Sequence, residues 1–342
     1  MTDEERPLIG ISVGDPSGIG PEIAAKALAL EEIYAICRPL AVSDFELMKD
    51  AVRIAAVQLE LNRVSDPAEG QYEFGCIDVL DMHNVDMSRH VYKKVTSENG
   101  KISFEYIKKV IDLAMAGRID ATVTGPIHKE ALNLAGFHYA GHTEIYSDLT
   151  NTKDYAMMLA DGDFRVVHVS THVSLREACD LVKKDRVLRV IRLARDMLDR
   201  LNTERAKIAV AGLNPHAGEG GLFGDEEEKE IIPAIEAAKG EGIKVEGPFP
   251  PDTIFSKARG GDYDAVVVMY HDQGHIAMKT AGFTYNEKGQ WSSISGVNVT
   301  LGLPIIRTSV DHGVAFGKAG EGRANPQSMI QAIKLAVQLC KK

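Results

Sequence analysis

The sequence lacks the features that mark several common classes of protein. Its 342 residues carry a formal net charge of −10, so no basic face for binding nucleic-acid phosphates is expected. No run reaches the roughly 18 consecutive apolar residues of a membrane span, and the acidic start MTDEERPL has no apolar signal-peptide core. These absences predict a cytoplasmic protein that binds neither nucleic acid nor membrane.

Cysteine is also scarce, and the four residues are scattered at Cys37, Cys76, Cys179 and Cys340 without any CxxC pair. This spacing offers no thiolate metal site and is typical of a reducing compartment. Internal repeats, low-complexity tracts and coiled-coil heptads are absent as well. The remaining composition, 44% hydrophobic and 26% charged, is that of a globular protein with a length that suggests about two domains.

Short apolar runs alternate with helical segments along the whole chain. Leu8–Val13 and Ala265–Met269 are typical of strands buried in a parallel sheet, whereas 103–116 and 175–201 have helical periodicity. Strands that alternate with helices predict an α/β protein of two domains.

Three of these apolar runs each lead into a histidine. Residues 165–169 precede His172, residues 207–211 precede His216, and Ala265–Met269 precedes His271. Ligands of α/β sheets bind beyond the carboxyl ends of strands, and three neutral imidazoles there can hold a divalent metal with open positions. The alternative is three separate loop histidines that cap helices.

The first strand leads into a glycine-rich turn, Gly14-Asp15-Pro16-Ser17-Gly18-Ile19-Gly20-Pro21-Glu22. Its glycines allow a tight turn, and the amides of a following helix can hold an anion or a ribose phosphate. The turn is neither a Walker loop nor a GxGxxG fingerprint, so it does not identify a cofactor. The alternative is a strand-to-helix turn that simply needs glycine.

Several motifs occur in an order that resembles one enzyme family. The segment 312–326, with HGVA followed by AGEGRANP, resembles the adenosine-binding loop of isocitrate and isopropylmalate dehydrogenases. Within that superfamily the chain resembles the 4-hydroxythreonine-4-phosphate dehydrogenases (PdxA) of vitamin B6 synthesis, from about Leu8 to the end. The motifs are GDPSGIGPE, VTGPIHKEAL, GHTE, STH, GLNPHAGE, YHDQG and VNVTLGLPIIRTSVDHG.

The resemblance implies a two-domain isocitrate/isopropylmalate dehydrogenase-like fold, with sheets flanked by helices and an active-site cleft between domains. It places the first domain at 1–140 plus 300–342 and the second, with the metal-site strands and the dimer interface, at 141–299. It also implies a homodimer with shared active sites.

The resemblance assigns roles to individual residues. It makes His172, His216 and His271 ligands of a divalent metal (Zn, Mg, Mn or Co) across the dimer interface. It makes the substrate ligands His142, Thr143, Lys279, Asn298 and Arg307. It makes the NAD-binding positions Gly14, Asp15, His312, Gly313, Ala315, Gly320 and Asn325.

Catalytic roles are predicted for three residues, each with a simpler alternative. His142 is a candidate general base or a helix cap, and Lys279 is a phosphate anchor, a proton-transfer group or a solvated side chain. Asp252 can orient a ligating histidine or can only form a turn.

The reaction implied is metal-dependent, NAD-linked oxidation at C3 of a 4-phosphorylated four-carbon acid, with decarboxylation. Two departures from the biosynthetic pattern, His275-Ile276 in place of Leu-Pro and the insertion Thr284–Ser295, favour 4-phospho-D-threonate or 4-phospho-D-erythronate. The alternatives are 4-(phosphooxy)-L-threonine, in pyridoxal phosphate biosynthesis, and a cyclic dihydrodiol. A metal-dependent phosphoryl or acyl transferase is the rival from another class.

Overall fold

The computed structural model describes residues 6–203, 206–285, 291–294 and 296–341, which form two compact units. Unit 1 comprises the described residues within Met1–Thr152 together with Leu303–Cys340, and unit 2 comprises those within Lys153–Gly302. The sequence analysis places the domain boundaries near residues 140 and 300, and these domain boundaries stay a prediction.

Unit 1 is built on a sheet of parallel strands in the order β3-β4-β2-β1-β5-β14. The strands are β1 Leu8–Ser12, β2 Arg38–Ser43, β3 Glu60–Val64, β4 Cys76–Asp81, β5 Ala121–Thr124 and β14 Ile306–Val310. Strands β1 and β5 are buried along their whole length, as their apolar runs require in a parallel sheet.

The helices of unit 1 begin where side chains can cap them. Asp44 accepts hydrogen bonds from the amides of Glu46 and Leu47 at the start of α3, and Thr96 accepts one from Asn99 at the start of α4. The helices are α1 Gly20–Ala27, α2 Glu31–Ile36, α3 Phe45–Ala55, α4 Ser97–Met115, α5 Lys129–Leu134, α6 His142–Leu149 and α12 Gln327–Cys340.

Unit 2 is built on a mixed sheet in the order β13-β6-β7-β10-β8-β9. The pairs β13–β6 and β6–β7 are antiparallel, whereas β7, β10, β8 and β9 are parallel. The strands are β6 Ala156–Asp161, β7 Phe164–His168, β8 Ile208–Ala211, β9 Val245–Phe249, β10 Ala265–Val268 and β13 Val297–Leu301. The parallel pairings bring the carboxyl ends of β7, β10 and β8 to one edge.

The helices of unit 2 are α7 Leu175–Leu181, α8 Lys184–Arg200, α9 Ile232–Gly240, α10 Ile254–Arg259 and α11 His271–Gly282. The prediction of one helix over 175–201 is wrong in detail, because Val182 and Lys183 are extended and Val182 is fully buried. Strands β11 Phe283–Tyr285 and β12 Trp291–Ile294 form a separate antiparallel pair. Of the insertion predicted at 284–295, residues 286–290 and 295 lie outside the described residues.

The predicted α/β fold with helix-flanked sheets is therefore confirmed. Strands β7, β8 and β10 each end within one residue of the end of the apolar run predicted before His172, His216 and His271. Within the part of the chain that the structure describes, no helix is long and apolar enough to cross a membrane.

Candidate active site

The turn after β1 buries a carboxyl group. Gly14 has φ +85°, and a Cβ there would lie 2.3 Å from the carbonyl oxygen of Pro126, so glycine is required. The amide of Asp15 donates to that same carbonyl, and Asp15 Oδ1 accepts from the amide of Ser17 at 2.8 Å. Asp15 Oδ2 is buried without a hydrogen-bond partner among the described residues. Burial raises the pKa of Asp15 to about 6.

A second segment, which we call the C-terminal loop (residues 311–326), packs on this turn. The amide of Ile19 donates to Val314 O at 3.1 Å, and a Cβ at Gly18 would lie only 3.0 Å from Val314 Cβ. Ala315 has φ +44°, so the backbone turns sharply beside this contact. The structure thus brings two segments about 300 residues apart into contact, and they carry the predicted cofactor positions Gly14, Asp15, His312, Gly313, Ala315, Gly320 and Asn325.

The C-terminal loop also presents a partly buried imidazole. His312 Nδ1 lies 3.0 Å from the carbonyl oxygen of Gly313, so Nδ1 carries the proton and Nε2 keeps a lone pair. That Nε2 is buried and has no hydrogen-bond partner within the described residues. Burial lowers the pKa of His312, so the ring is neutral. Asn325 ends the loop by accepting from the amide of Gln327 at the start of α12.

Arg307 is a buried cation of unit 1. It lies in β14 with 2% of its surface exposed, and its Nη2 donates to Thr124 Oγ1 at 3.0 Å. Its guanidinium carbon is 5.5 Å from the centre of the Tyr146 ring, which favours a cation at that position. Burial lowers the pKa of Arg307 to about 10, so it still carries its charge at neutral pH.

His142 begins α6 in the same unit and is held in its neutral form. Although the residue is partly exposed, its Nε2 is buried and has no hydrogen-bond partner in the described chain. Burial, followed by the nearby charge of Arg307, holds the pKa of His142 well below its usual value. Thr143 beside it is 8% exposed. A neutral imidazole close to a fixed cation can accept a proton from an anionic substrate that the cation binds.

In unit 2, two of the three predicted metal ligands lie close together. His271 follows β10, His172 follows β7, and their ring centres are 5.9 Å apart. His271 Nδ1 donates to Asp272 Oδ1 at 2.6 Å, which leaves Nε2 as the lone-pair nitrogen. A carboxylate that orients an imidazole in this way is typical of metal-ligating histidines.

His275 extends this group one helical turn along α11. Its ring stacks on that of His271 with centres 3.6 Å apart, and its Nδ1 donates to the carbonyl oxygen of His271 at 3.0 Å. Burial and the neighbouring His271 lower the pKa of His275 to about 4. His275 is therefore a neutral ring whose Nε2 can accept a hydrogen bond.

His216, the third predicted ligand, lies on a loop with unusual backbone geometry. His216 and Ala217 both have φ +53°, and the His216 ring is exposed beside Phe223 at 6.1 Å. Among the described residues, no group of three or more His, Cys, Asp or Glu side chains is arranged to hold a metal ion. The donor chemistry of His172 and His271 fits a metal, but the set of three is not assembled within one chain.

The remaining predicted site residues of unit 2 are placed on three elements. Lys279 lies on α11, eight residues after His271, and is exposed, while Asn298 lies on β13 and is partly buried. Asp252 precedes α10 and lines a groove of about 780 Å³ together with Asp272. The role predicted for Asp252, orientation of a ligating histidine, stays a prediction.

Comparisons with known proteins match most of the chain to one family. A family model described as "Pyridoxal phosphate biosynthetic protein PdxA" matches residues 35–336. A curated relative from Symbiobacterium thermophilum, provisionally named D-threonate 4-phosphate dehydrogenase, is 48% identical over 335 residues, which cover 98% of this chain and 97% of the relative. A relative from Clostridium botulinum with the same name is 46% identical over 337 residues, or 98% of both chains.

The chain belongs to the PdxA family. A solved 4-hydroxythreonine-4-phosphate dehydrogenase from Klebsiella pneumoniae is similar in structure, with 41% identity, a TM-score of 0.86 and coverage of 99% of both chains. Membership in the PdxA family confirms the predicted family and makes the chain an oxidoreductase enzyme.

Two residues that support the strand ends leading to the predicted metal ligands were not identified by the sequence analysis. Glu227 is 1% exposed and accepts from the amides of Leu213 and Asn214, each at 2.8 Å, so it shapes the turn before His216. Gln273 accepts from the amide of Met269 and donates to Gly212 O, which joins the ends of β10 and β8. Glu227 stands in the acidic run 225–230, which suggests a solvated helix, and no sequence signal distinguishes it from its neighbours.

Proposed function

We propose that the protein is a metal-dependent, NAD-linked dehydrogenase that oxidises C3 of 4-phospho-D-threonate or 4-phospho-D-erythronate with loss of carbon dioxide. The observation that carries the proposal is the neutral His142 beside the charged Arg307. An anionic hydroxy acid needs both a cation to bind it and a neutral base to remove its proton. The names of the relatives support the substrate class.

Polar and ionisable side chains supply the binding groups and the proton transfers of this reaction. Arg307 and Thr143 are proposed to bind the phosphate and carboxylate groups of the substrate, and the same role is proposed for Lys279 and Asn298. Remote binding of a dianion positions C3. His142 accepts the proton of the C3 hydroxyl as hydride leaves the same carbon. The product is a β-keto acid, which loses carbon dioxide to give glycerone phosphate. Lys279 is the candidate for returning a proton to C2.

Two bound groups complete this chemistry. The turn at Asp15 and the C-terminal loop are proposed to hold NAD, whose nicotinamide accepts the hydride. Asp15 Oδ2 and His312 Nε2 have no hydrogen-bond partner among the described residues, and they suit a ligand rich in hydroxyl and amide groups. His172 and His271 would hold a divalent ion together with the His216 of a second subunit. Such an ion supplies positive charge that favours ionisation of an alcohol.

His275 supports the hydroxy acid over the amino acid. Its neutral Nε2 can accept a hydrogen bond from the 2-hydroxyl of a threonate or erythronate. An ammonium group would bind more favourably beside a carboxylate, which the segment 275–278 does not add. The second candidate, a 4-(phosphooxy)-L-threonine dehydrogenase, is favoured by the name of the solved neighbour.

A substrate panel separates the two candidates. NADH formation is measured with 4-phospho-D-threonate, 4-phospho-D-erythronate and 4-(phosphooxy)-L-threonine, with unphosphorylated threonate as the control for the phosphate. We expect kcat/KM to be at least about tenfold higher for a hydroxy acid, or roughly 1.4 kcal/mol. His275→Leu should reduce that preference, whereas Ile276→Leu, at an exposed neighbour, should not. A tenfold preference for the amino acid would overturn the substrate and leave the reaction type intact.

A further inference from the structure

Helix α1 carries an ion pair that contacts the chain about 300 residues later. Lys26 Nζ lies 2.7 Å from Glu22 Oε1 and donates to the carbonyl oxygens of Gly322 at 2.9 Å and Ala324 at 2.8 Å. Glu22 Oε1 also accepts from the amide of Ala324 at 2.7 Å. The three N–H bonds of the ammonium group thus meet three acceptors, two of which are backbone groups of the C-terminal loop.

This pair differs from a surface ion pair in its burial. Only 3% of the Glu22 side chain and 17% of the Lys26 side chain are exposed. Charge-assisted hydrogen bonds in such surroundings are strong, and removing one partner leaves an uncompensated charge. The loop that the pair binds has no regular structure and contains Gly320 at φ +75° and Gly322 at φ +70°. Ordering such a segment is entropically costly, and the pair offsets part of that cost.

The same helix holds both ends of the C-terminal loop. Before its first turn, the Ile19 amide binds Val314 O near the start of the loop, and in its last turn Lys26 binds Gly322 and Ala324 near the end. The residues predicted to bind the cofactor lie between or beside these contacts, at Ala315, Gly320 and Asn325. The turn that carries Asp15 leads directly into α1.

We propose that Lys26 and Glu22 are positioning residues for the cofactor, because they hold the C-terminal loop in its binding conformation before the cofactor arrives. The inference rests on the proposed use of NAD. Neither side chain is expected to contact the substrate, since both bind the backbone of the loop. The pair should therefore affect the affinity for NAD and not the chemistry at saturating NAD.

The test is the dissociation constant for NAD, measured by calorimetry, together with the KM for NAD and for the phosphorylated substrate. Lys26→Met should raise both NAD constants at least about tenfold, equivalent to 1.4 kcal/mol. kcat at saturating NAD and the substrate KM should change less than twofold. Lys26→Arg, which keeps the charge, should recover part of the affinity.

The chain offers a matched control. Lys334 Nζ forms an exposed ion pair with Glu32 at 3.0 Å, which joins α12 to α2 across a similar stretch of sequence without touching the loop. Lys334→Met should leave the affinity for NAD unchanged. If Lys26→Met does not fold because Glu22 is left buried alone, the double variant Glu22→Gln/Lys26→Met removes both charges and should still bind NAD weakly.

The outcomes separate the inference from the function on which it depends. Wild-type protein that binds no NAD contradicts both. Wild-type protein that uses NAD, with a folded variant that binds it as tightly, contradicts the positioning role alone. A variant in which the KM values for NAD and substrate rise together also contradicts that role, since it indicates general structural damage.

Discussion

Three polar candidate residues of unit 1 are buried, whereas most of the candidate residues of unit 2 are exposed. Asp15, Thr143 and Arg307 are 0%, 8% and 2% exposed, and Asp15 and Arg307 each form a hydrogen bond within unit 1. His172, His216 and Lys279 are exposed. Unit 1 thus fixes these three polar groups during folding, while the imidazoles of His172 and His216 in unit 2 remain accessible to a ligand or a second subunit. The comparison predicts that substitutions in unit 1 change both stability and activity, and that those at the exposed histidines change activity alone.

The largest effect is expected at the histidines of unit 2. Replacing His172, His216 or His271 with Ala should each lower kcat by about 1,000-fold, since even loss of a residue that only orients a metal ligand costs 10- to 100-fold. Stability should change little because these side chains are partly or largely exposed. The measurements are steady-state kinetics with and without a chelator, and urea unfolding. His83→Ala, at a side chain that is 89% exposed, is the control. Full activity in metal-free buffer would refute the metal site.

The next effect is expected at Arg307. Arg307→Lys keeps the positive charge but loses the planar fork that binds two oxygens of a phosphate or carboxylate. A charge-assisted hydrogen bond is worth about 1.5–3 kcal/mol, so kcat/KM should fall about 30-fold. Arg165→Lys, at another buried arginine that pairs with Asp163, is the matched control and should change stability only. Equal losses of kcat/KM in Arg307→Lys and Arg165→Lys would contradict a specific role of Arg307 in substrate binding.

A smaller effect is expected at Asp15, through pH. Burial raises its pKa from 3.8 to about 6, so the folded state holds a proton that the unfolded state has lost between these values. The resulting stabilisation is present at low pH and is lost as the pH rises through about 6. The variant Asp15→Asn has no carboxyl group at this position. Relative to it, wild type should lose about 1.4 kcal/mol of unfolding free energy between pH 5 and pH 7.5.

Urea unfolding of both proteins at the two pH values checks this prediction. Asp262→Asn removes an exposed carboxylate of unit 2 and should not alter the pH dependence. If the difference in unfolding free energy between wild type and Asp15→Asn is the same at pH 5 and pH 7.5, burial does not disfavour the ionised form of Asp15.

The smallest effect is the recovery of activity in hybrid dimers. Because His172 and His271 lie 5.9 Å apart in one chain, they should serve one site, and His216 should serve the site of the other subunit. Mixing His216→Ala with His271→Ala should restore about a quarter of wild-type activity, since half of the dimers are hybrids with one intact site. Mixing His172→Ala with His271→Ala should restore none. Recovery in the second mixture alone would contradict this assignment.

Much of this arrangement follows from the sequence because it depends on local patterns. The apolar run Ala265–Met269 predicts β10, and its abrupt polar end predicts that His271 lies at the sheet edge. The proximity of His271 to His172 follows from the parallel pairing of β10 with β7. Position 14 must be glycine because a Cβ would collide with the carbonyl oxygen of Pro126. The glycine-rich motif that follows β1 indicates this tight turn.

The rest depends on contacts that no local pattern encodes. The ammonium of Lys26 finds its acceptors 296 and 298 residues away. Glu227 is buried although the residues on either side of it suggest a solvated helix. The break in the helix predicted over 175–201 occurs at Val182, where tertiary burial overrides helical propensity.

The most direct test of the account is the stoichiometry of the reaction with 4-phospho-D-threonate. The protein is incubated with NAD, a divalent metal and this substrate, and NADH, carbon dioxide and glycerone phosphate are quantified in the same sample. The account predicts one equivalent of each product per substrate consumed, and none when the metal is removed. NADH formation without carbon dioxide, or no NADH with any 4-phosphorylated four-carbon acid, would contradict it.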